Sequence, residues 1–139
     1  MMGKRRLSRE LSLKVLFQVD IAHSNLQDAL QYIFSENNYS DDVKNFCLEL
    51  VKNVEENILT IDKTIREFAE NWSLERIANI DRNILRIAIC EILFLEDIPK
   101  SVSINEAVEL SKKYGTKSSF SFVNGVLGKI NKRDIKDNK

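Results

Sequence analysis

Apolar residues recur every three or four positions through most of the chain. Leu7, Leu11, Val15, Val19 and Ala22 step this way, with Leu16 beside them, and predict a helix over about Leu7–His23. Ser24-Asn25 interrupts the pattern, and Leu26, Ala29, Leu30, Ile33 and Phe34 resume it over about 26–35. Ser40 then opens a long stripe as N-cap, with Asp41 and Asp42 favouring the helix start electrostatically. Val43, Phe46, Cys47, Leu50, Val51 and Val54 lead into Ile58, Ile61, Ile65, Phe68, Ala69 and Trp72. That run is long for one globular helix, so a break is expected near Glu56-Asn57-Ile58. Ser73 caps a short turn over 74–77. Ile80, Ile84, Ile87, Ala88 and Ile92 form the next face, and Leu85, Ile89 and Leu93 widen it. A helix so apolar belongs at the centre of the molecule. Pro99 ends that segment. Ser103-Ile104-Asn105-Glu106 reads as a capping box opening a helix with Ala107, Val108 and Leu110, and Gly115 as its C′ glycine. A last helix starts near Ser118 or Ser119 and carries Phe120, Val123, Val126, Leu127 and Ile130; the polar tail 131–139 is expected to fray. The pattern predicts an all-α fold of about seven helices with no strand.

Composition supports this. Among 139 residues there are only 4 Gly and 1 Pro, too few breakers for a β-sandwich or a Gly-loop nucleotide fold. The length suits a single domain, 1–139, with its own core. Formal charge is balanced, 21 Lys+Arg against 21 Asp+Glu, but unevenly placed. Lys4, Arg5, Arg6, Arg9 and Lys14 face only Glu10 at one end. Lys129, Lys132, Arg133, Lys136 and Lys139 face Asp134 and Asp137 at the other, so the middle is acidic. Basic ends on an acidic body suggest a local polyanion contact. No export signal or apolar stretch of about 18 residues is present, so the expectation is a cytoplasmic protein with no membrane contact. Cys47 and Cys90 lie on apolar stripes and read as buried thiols in a reducing compartment.

Catalytic chemistry finds little support. The single histidine, His23, sits at a helix end and reads as a C-terminal cap rather than a base. No nucleotide, metal or nucleophile motif occurs, so no catalytic residue, metal ligand or cofactor is assigned. Gly125-Val126-Leu127-Gly128 matches a GxxG loop formally but falls inside a helical stripe, where close packing against a neighbouring helix explains it better. A nucleic-acid contact is better founded. Lys4, Arg5, Arg6 and Arg9 crowd a helix start, where the macrodipole disfavours cations. Phe17, at i+8 from Arg9, offers either a ring to an unstacked base or ordinary core. Lys117, Ser118, Ser119, Phe120 and Phe122 gather at another helix start. The two rings are about 200° apart around the helix and cannot both face the core. Phe120 fits the stripe with Val123 and Leu127, which leaves Phe122 as the outward ring.

Several segments together resemble the NusB family of bacterial transcription antitermination factors. They are Arg5-Arg6-Leu7-Ser8-Arg9-Glu10, the stretch from Ile84 to Ile92, the stretch from Ile98 to Gly115 containing Ile104-Asn105-Glu106-Ala107-Val108-Glu109-Leu110, and Phe122-Val123-Asn124-Gly125-Val126-Leu127. The similarity runs essentially end to end. It implies two small helical bundles packed crosswise, about 1–56 and about 57–130, and no catalysis. It further implies binding of boxA RNA in ribosomal-RNA leader transcripts jointly with NusE, a small-subunit ribosomal protein, and action on an elongating RNA polymerase complex. Arg5, Arg6 and Arg9 match the family's arginine-rich, RNA-contacting start, and Lys4 joins them as part of the basic cluster. Phe17 stands where the family often has Tyr, and Ser118 and Phe122 lie in the segment used at the RNA surface. Glu75, Arg76 and Asp81 are assigned to the partner-protein side. Homodimerisation stays open, as does a protein–protein scaffold with no direct RNA contact.

Overall fold

A computed structural model describes residues 3–70 and 72–132, with the side chains of 131 and 132 excepted. Among the described residues there are seven α-helices, one 3-10 turn and no strand. The helices are α1 (Lys4–Ala22), α2 (Leu26–Ser35), α3 (Asp41–Glu56), α4 (Ile58–Phe68), α5 (Asn79–Phe94), α6 (Lys100–Tyr114) and α7 (Lys117–Lys132), with the 3-10 turn at Leu74–Arg76. Because α7 continues through Lys132, the start of the expected polar tail is helical; residues 133–139 lie outside the described residues.

Local chemistry explains most of the boundaries. Asn25 accepts from the backbone N–H groups of Gln27 and Asp28 at 2.8 and 3.3 Å and opens α2. Ser40 accepts from the Val43 N–H at 3.4 Å and opens α3. The expected break falls at Asn57, which ends α3 and precedes α4, its side chain donating to the Asn53 carbonyl at 2.8 Å. His23 ends α1 in the left-handed region, φ 55°, so it caps a helix as its position suggested.

Three expectations about special residues change. The capping box does not form. The Pro99 carbonyl accepts from the N–H groups of Val102 and Ser103, so α6 begins at Lys100 and Ser103 already lies inside it. The Ser103 and Glu106 side chains are thereby free for tertiary contacts. Gly115 is not left-handed: φ is −92° and ψ −168°. Its reason for being glycine is space, since a Cβ there would collide with the Ser119 side chain and lie 2.8 Å from the Ser111 carbonyl oxygen. Gly125 and Gly128, by contrast, are not sites of close helix packing, because a Cβ at either would meet nothing within 4 Å. Gly125 is exposed in mid-helix. Gly125→Ala is therefore expected to stabilise the fold by about 0.5–1 kcal/mol, read as a higher urea midpoint with an unchanged m value.

Helix α5 packs on α1, α3, α4, α6 and α7, as its breadth of apolar surface predicts. Leu11 and Val15 of α1, Leu50 of α3, Ile61 of α4, Ile84 and Leu85 of α5 and Leu127 of α7 are fully buried in one continuous core. Both cysteines are buried and free. Burial pushes the Cys47 thiol up to about 11 and, aided by Glu91 and Glu49, the Cys90 thiol up to about 12, so both are protonated and unreactive at neutral pH. Among the described residues no helix is long and apolar enough to cross a membrane.

Candidate nucleic-acid interface

Helix α1 begins at Lys4, which places Lys4, Arg5 and Arg6 in its first turn and Arg9 one turn later. The first three side chains are half or more exposed. Each rests against a carboxylate from another part of the chain. Lys4 lies 3.0 Å from Asp42, and Arg5 lies 3.6 Å from Asp97 with its guanidinium 4.5 Å from the centre of the Phe46 ring. Arg6 donates to both oxygens of Glu106, at 3.0 and 2.7 Å. The hydrogen bond and charge of Glu106 raise the Arg6 guanidinium above its ordinary value, and the bond from Arg6 holds the Glu106 carboxyl below its own.

Arg9 is different, and its assignment to the exposed cluster is corrected. It is only 4% exposed and donates to both oxygens of Glu91, at 2.7 and 2.9 Å; Glu91 itself is 1% exposed. Ser103 donates to the same carboxylate at 2.7 Å. Arg9 thus ties α1 to α5 and α6, and its guanidinium is already engaged by Glu91 inside the molecule.

Further contacts zip α1 to α6. Glu10 receives Lys113 at 2.9 Å on each oxygen, and the Tyr114 hydroxyl donates to Glu10 as well. Burial and the Glu10 carboxylate push the Tyr114 hydroxyl well above its ordinary range, so it stays a donor. A cleft of about 380 Å³ runs along this seam, lined by Arg6, Glu10, Glu106, Lys112 and Lys113 among others. Phe17 is half-buried, and helical spacing puts it on the α1 face that carries Arg6 and Glu10. Ser118 is exposed at the start of α7, its hydroxyl 3.0 Å from that of Thr116.

The two rings of α7 exchange roles. The buried face of this helix is centred on Val123, Val126, Leu127 and Ile130. Phe120 and Phe122 flank that centre by roughly 80° on opposite sides. What lies beside each flank therefore decides. Trp72 stands edge-on to Phe122, ring centres 6.3 Å apart, and Phe122 is half-buried against the core. Phe120 is 38% exposed, with the Lys112 ammonium 5.0 Å from its ring centre. The outward ring is Phe120. From opposite ends of the chain, Arg6 meets Glu106, and Glu10 meets Lys113 and Tyr114, along the α1–α6 seam, with Phe120 beside Lys112.

On another part of the surface Glu75 and Arg76 are exposed on the 3-10 turn. Asp81, in the first turn of α5, is buried, and its Oδ1 has no hydrogen-bond partner. Arg82 holds this region together by donating to the Leu74 carbonyl at 3.1 Å and to Asp20 at 2.6 Å. Burial disfavours the Asp20 carboxylate, but hydrogen bonds from Arg82 and Asn83 more than offset it and hold Asp20 below the usual range.

With this geometry in place, the profile of the NusB family matches residues 6–132. The chain belongs to the NusB family. It is 43% identical to the transcription antitermination protein NusB of Thermodesulfovibrio yellowstonii, covering 98% of this chain and 97% of that one. Its fold superposes on T. maritima NusB with a TM-score of 0.87 and 40% identity, covering 96% and 94% of the two chains. It also superposes on the crystal structure of antitermination factors NusB and NusE in complex with dsRNA, with a TM-score of 0.86 and 29% identity over 95% of this chain and 98% of that one. Family membership makes this chain a transcription antitermination factor and not an enzyme. Sequence reasoning missed Lys113 and Tyr114, which hold Glu10 across the seam, Glu91, which holds Arg9, and Lys112, which lies over Phe120. Glu91 carries the one visible signal, a charge set between Cys90 and Ile92 in the most apolar helix.

Proposed function

We propose that this chain binds boxA RNA of ribosomal-RNA leader transcripts jointly with NusE, and that the pair joins an elongating RNA polymerase in the cytoplasm and helps it read through terminators. The carrying observation is the group of exposed cations Lys4, Arg5 and Arg6 at the head of the α1–α6 seam, in a chain whose fold matches a NusB bound to NusE and RNA. Phosphates would take over these cations and release counterions. Phe17 and Ser118 belong to the same proposed surface, and Phe122, edge-on to Trp72 on the other flank of α7, is proposed as a further contact. Glu75, Arg76 and Asp81 form the proposed partner side. There Glu75 and Arg76, exposed on the 3-10 turn, present the charges that a basic ribosomal protein would meet, while Asp81 is buried.

The second reading is a scaffold that touches protein alone. One observation favours it: Lys4, Arg5 and Arg6 are each already matched by a carboxylate. The pairs of Lys4 with Asp42 and Arg5 with Asp97 are exposed on both sides and contribute about 0–1 kcal/mol each, so a phosphate can displace them at small cost, which supports the RNA reading. The test is a titration of fluorescein-labelled boxA leader RNA with this protein, with and without NusE. The RNA reading expects binding that strengthens when NusE is present; assembly with NusE that no RNA influences, and no RNA binding in either case, would establish the scaffold.

A further inference from the structure

We propose that the α1–α6 cleft and the Phe120 ring form a single-nucleotide subsite, in which Phe120 stacks one unpaired RNA base and Lys112 takes the neighbouring phosphate. This rests on the RNA-binding reading and goes beyond it by naming a site, its two groups and what each holds.

The argument starts from the asymmetry of α7. Phe120 and Phe122 occupy mirror-related flanks of one helix, and the fold covers one of them with Trp72 but leaves the other open. A lone exposed apolar side chain is ordinary on a protein surface. Phe120 is not alone. Lys112 lies over its ring at 5.0 Å, and the same lysine lines the cleft that holds Arg6 and Lys113, with Glu10, Glu106 and Glu109 between them as the counter-charges a phosphate would displace. A π-face beside a row of cations is the arrangement that accepts a single strand, with bases on the ring and phosphates on the charges. A duplex, whose bases are already stacked on each other, offers no base to such a ring.

The charges also differ in how readily they can be recruited. Lys113 is engaged by both oxygens of Glu10, whereas the ion pair of Lys112, with Glu109, is longer at 3.6 Å and exposed on both sides. Lys112 is thus the cation next to the ring that gives up least when it turns to a phosphate. Arg6, across the cleft, continues the track toward Arg5 and Lys4.

The experiment repeats the RNA titration, with NusE present, for Phe120→Ala, Phe120→Leu, Phe120→Trp and Lys112→Gln. Phe120 is exposed, so all four variants are expected to melt like the wild type. Stacking predicts affinity roughly 5- to 100-fold weaker for both Phe120→Ala and Phe120→Leu, and wild-type or tighter binding for Phe120→Trp. Lys112→Gln should weaken binding and make its salt dependence shallower by about one phosphate contact. RNA carrying 5-iodouridine in place of uridine should cross-link on irradiation to the peptide that contains Phe120. Wild-type protein that fails to bind RNA overturns the underlying RNA reading. Wild-type binding with unchanged affinity in Phe120→Ala overturns the subsite alone. A Phe120→Leu variant that binds normally shows apolar bulk rather than a π-face at work and also overturns it. So does a Phe120→Ala variant that loses NusE in the absence of RNA, because the ring then belongs to the protein interface.

Discussion

Arg9→Ala is expected to destabilise the protein by about 3–5 kcal/mol, a drop of roughly 10–15 °C in melting temperature. The reason is what it leaves behind. Glu91 is 1% exposed and loses both of its guanidinium hydrogen bonds, keeping only Ser103. The nearby Glu106 loses its second cation, 3.7 Å away, and the Phe46 ring loses the guanidinium 5.4 Å from its centre. An uncompensated buried carboxylate costs more than the ion pair contributes net. The cause can be separated from simple loss of packing. Arg9→Met with Glu91→Leu removes both charges together and should cost well under the sum of the single changes. Thermal or urea unfolding of the two single variants and the double variant measures this coupling. Arg6→Ala, by contrast, removes a half-exposed guanidinium and leaves Glu106 with Arg9 as a second cation 3.7 Å away, so the melting temperature should change far less than in Arg9→Ala.

Ile84→Ala is expected to cost about 2–5 kcal/mol through the cavity it opens. Ile84 is 0% exposed on α5, the helix that touches five others, so its surroundings are held from several directions and cannot collapse into the space. Urea unfolding should show a lower midpoint with an unchanged slope, because the same surface is exposed on unfolding. The effect should not extend to RNA: Ile84 lies in the interior, away from the seam, and the folded variant should bind RNA as the wild type does.

Periodicity made the helices legible, and most of their ends were legible too. Asn25, Ser40, Asn57 and His23 act through bonds or dihedrals that involve only their immediate neighbours. Misreadings arose where a residue serves a distant partner. Ser103 and Glu106 carry the spacing of a local cap, but their side chains go to Glu91 and to Arg6, which is 100 positions away. Arg9 stands among arginines of the same kind and was grouped with them; the difference lies in Glu91, 82 positions on. Sequence spacing showed that Phe120 and Phe122 diverge around α7. It could not show which would be covered, because both flank the buried face equally and Trp72, from another part of the chain, decides. The glycines repeat the lesson in reverse: Gly115 is required by a neighbouring helix start, and Gly125 is required by nothing within the fold.

The measurement that bears most directly on the central claim is the salt dependence of RNA binding by the wild type and by Arg5→Ala/Arg6→Ala, with NusE present and folding checked by melting. Each phosphate contact on a single strand contributes about 0.7 to the slope of log affinity against log salt. Loss of both guanidiniums should make that slope shallower by about 1.4 and weaken binding at low salt, with the melting temperature almost unchanged. An unaltered slope and affinity in the double variant would show that the first turn of α1 does not meet the RNA.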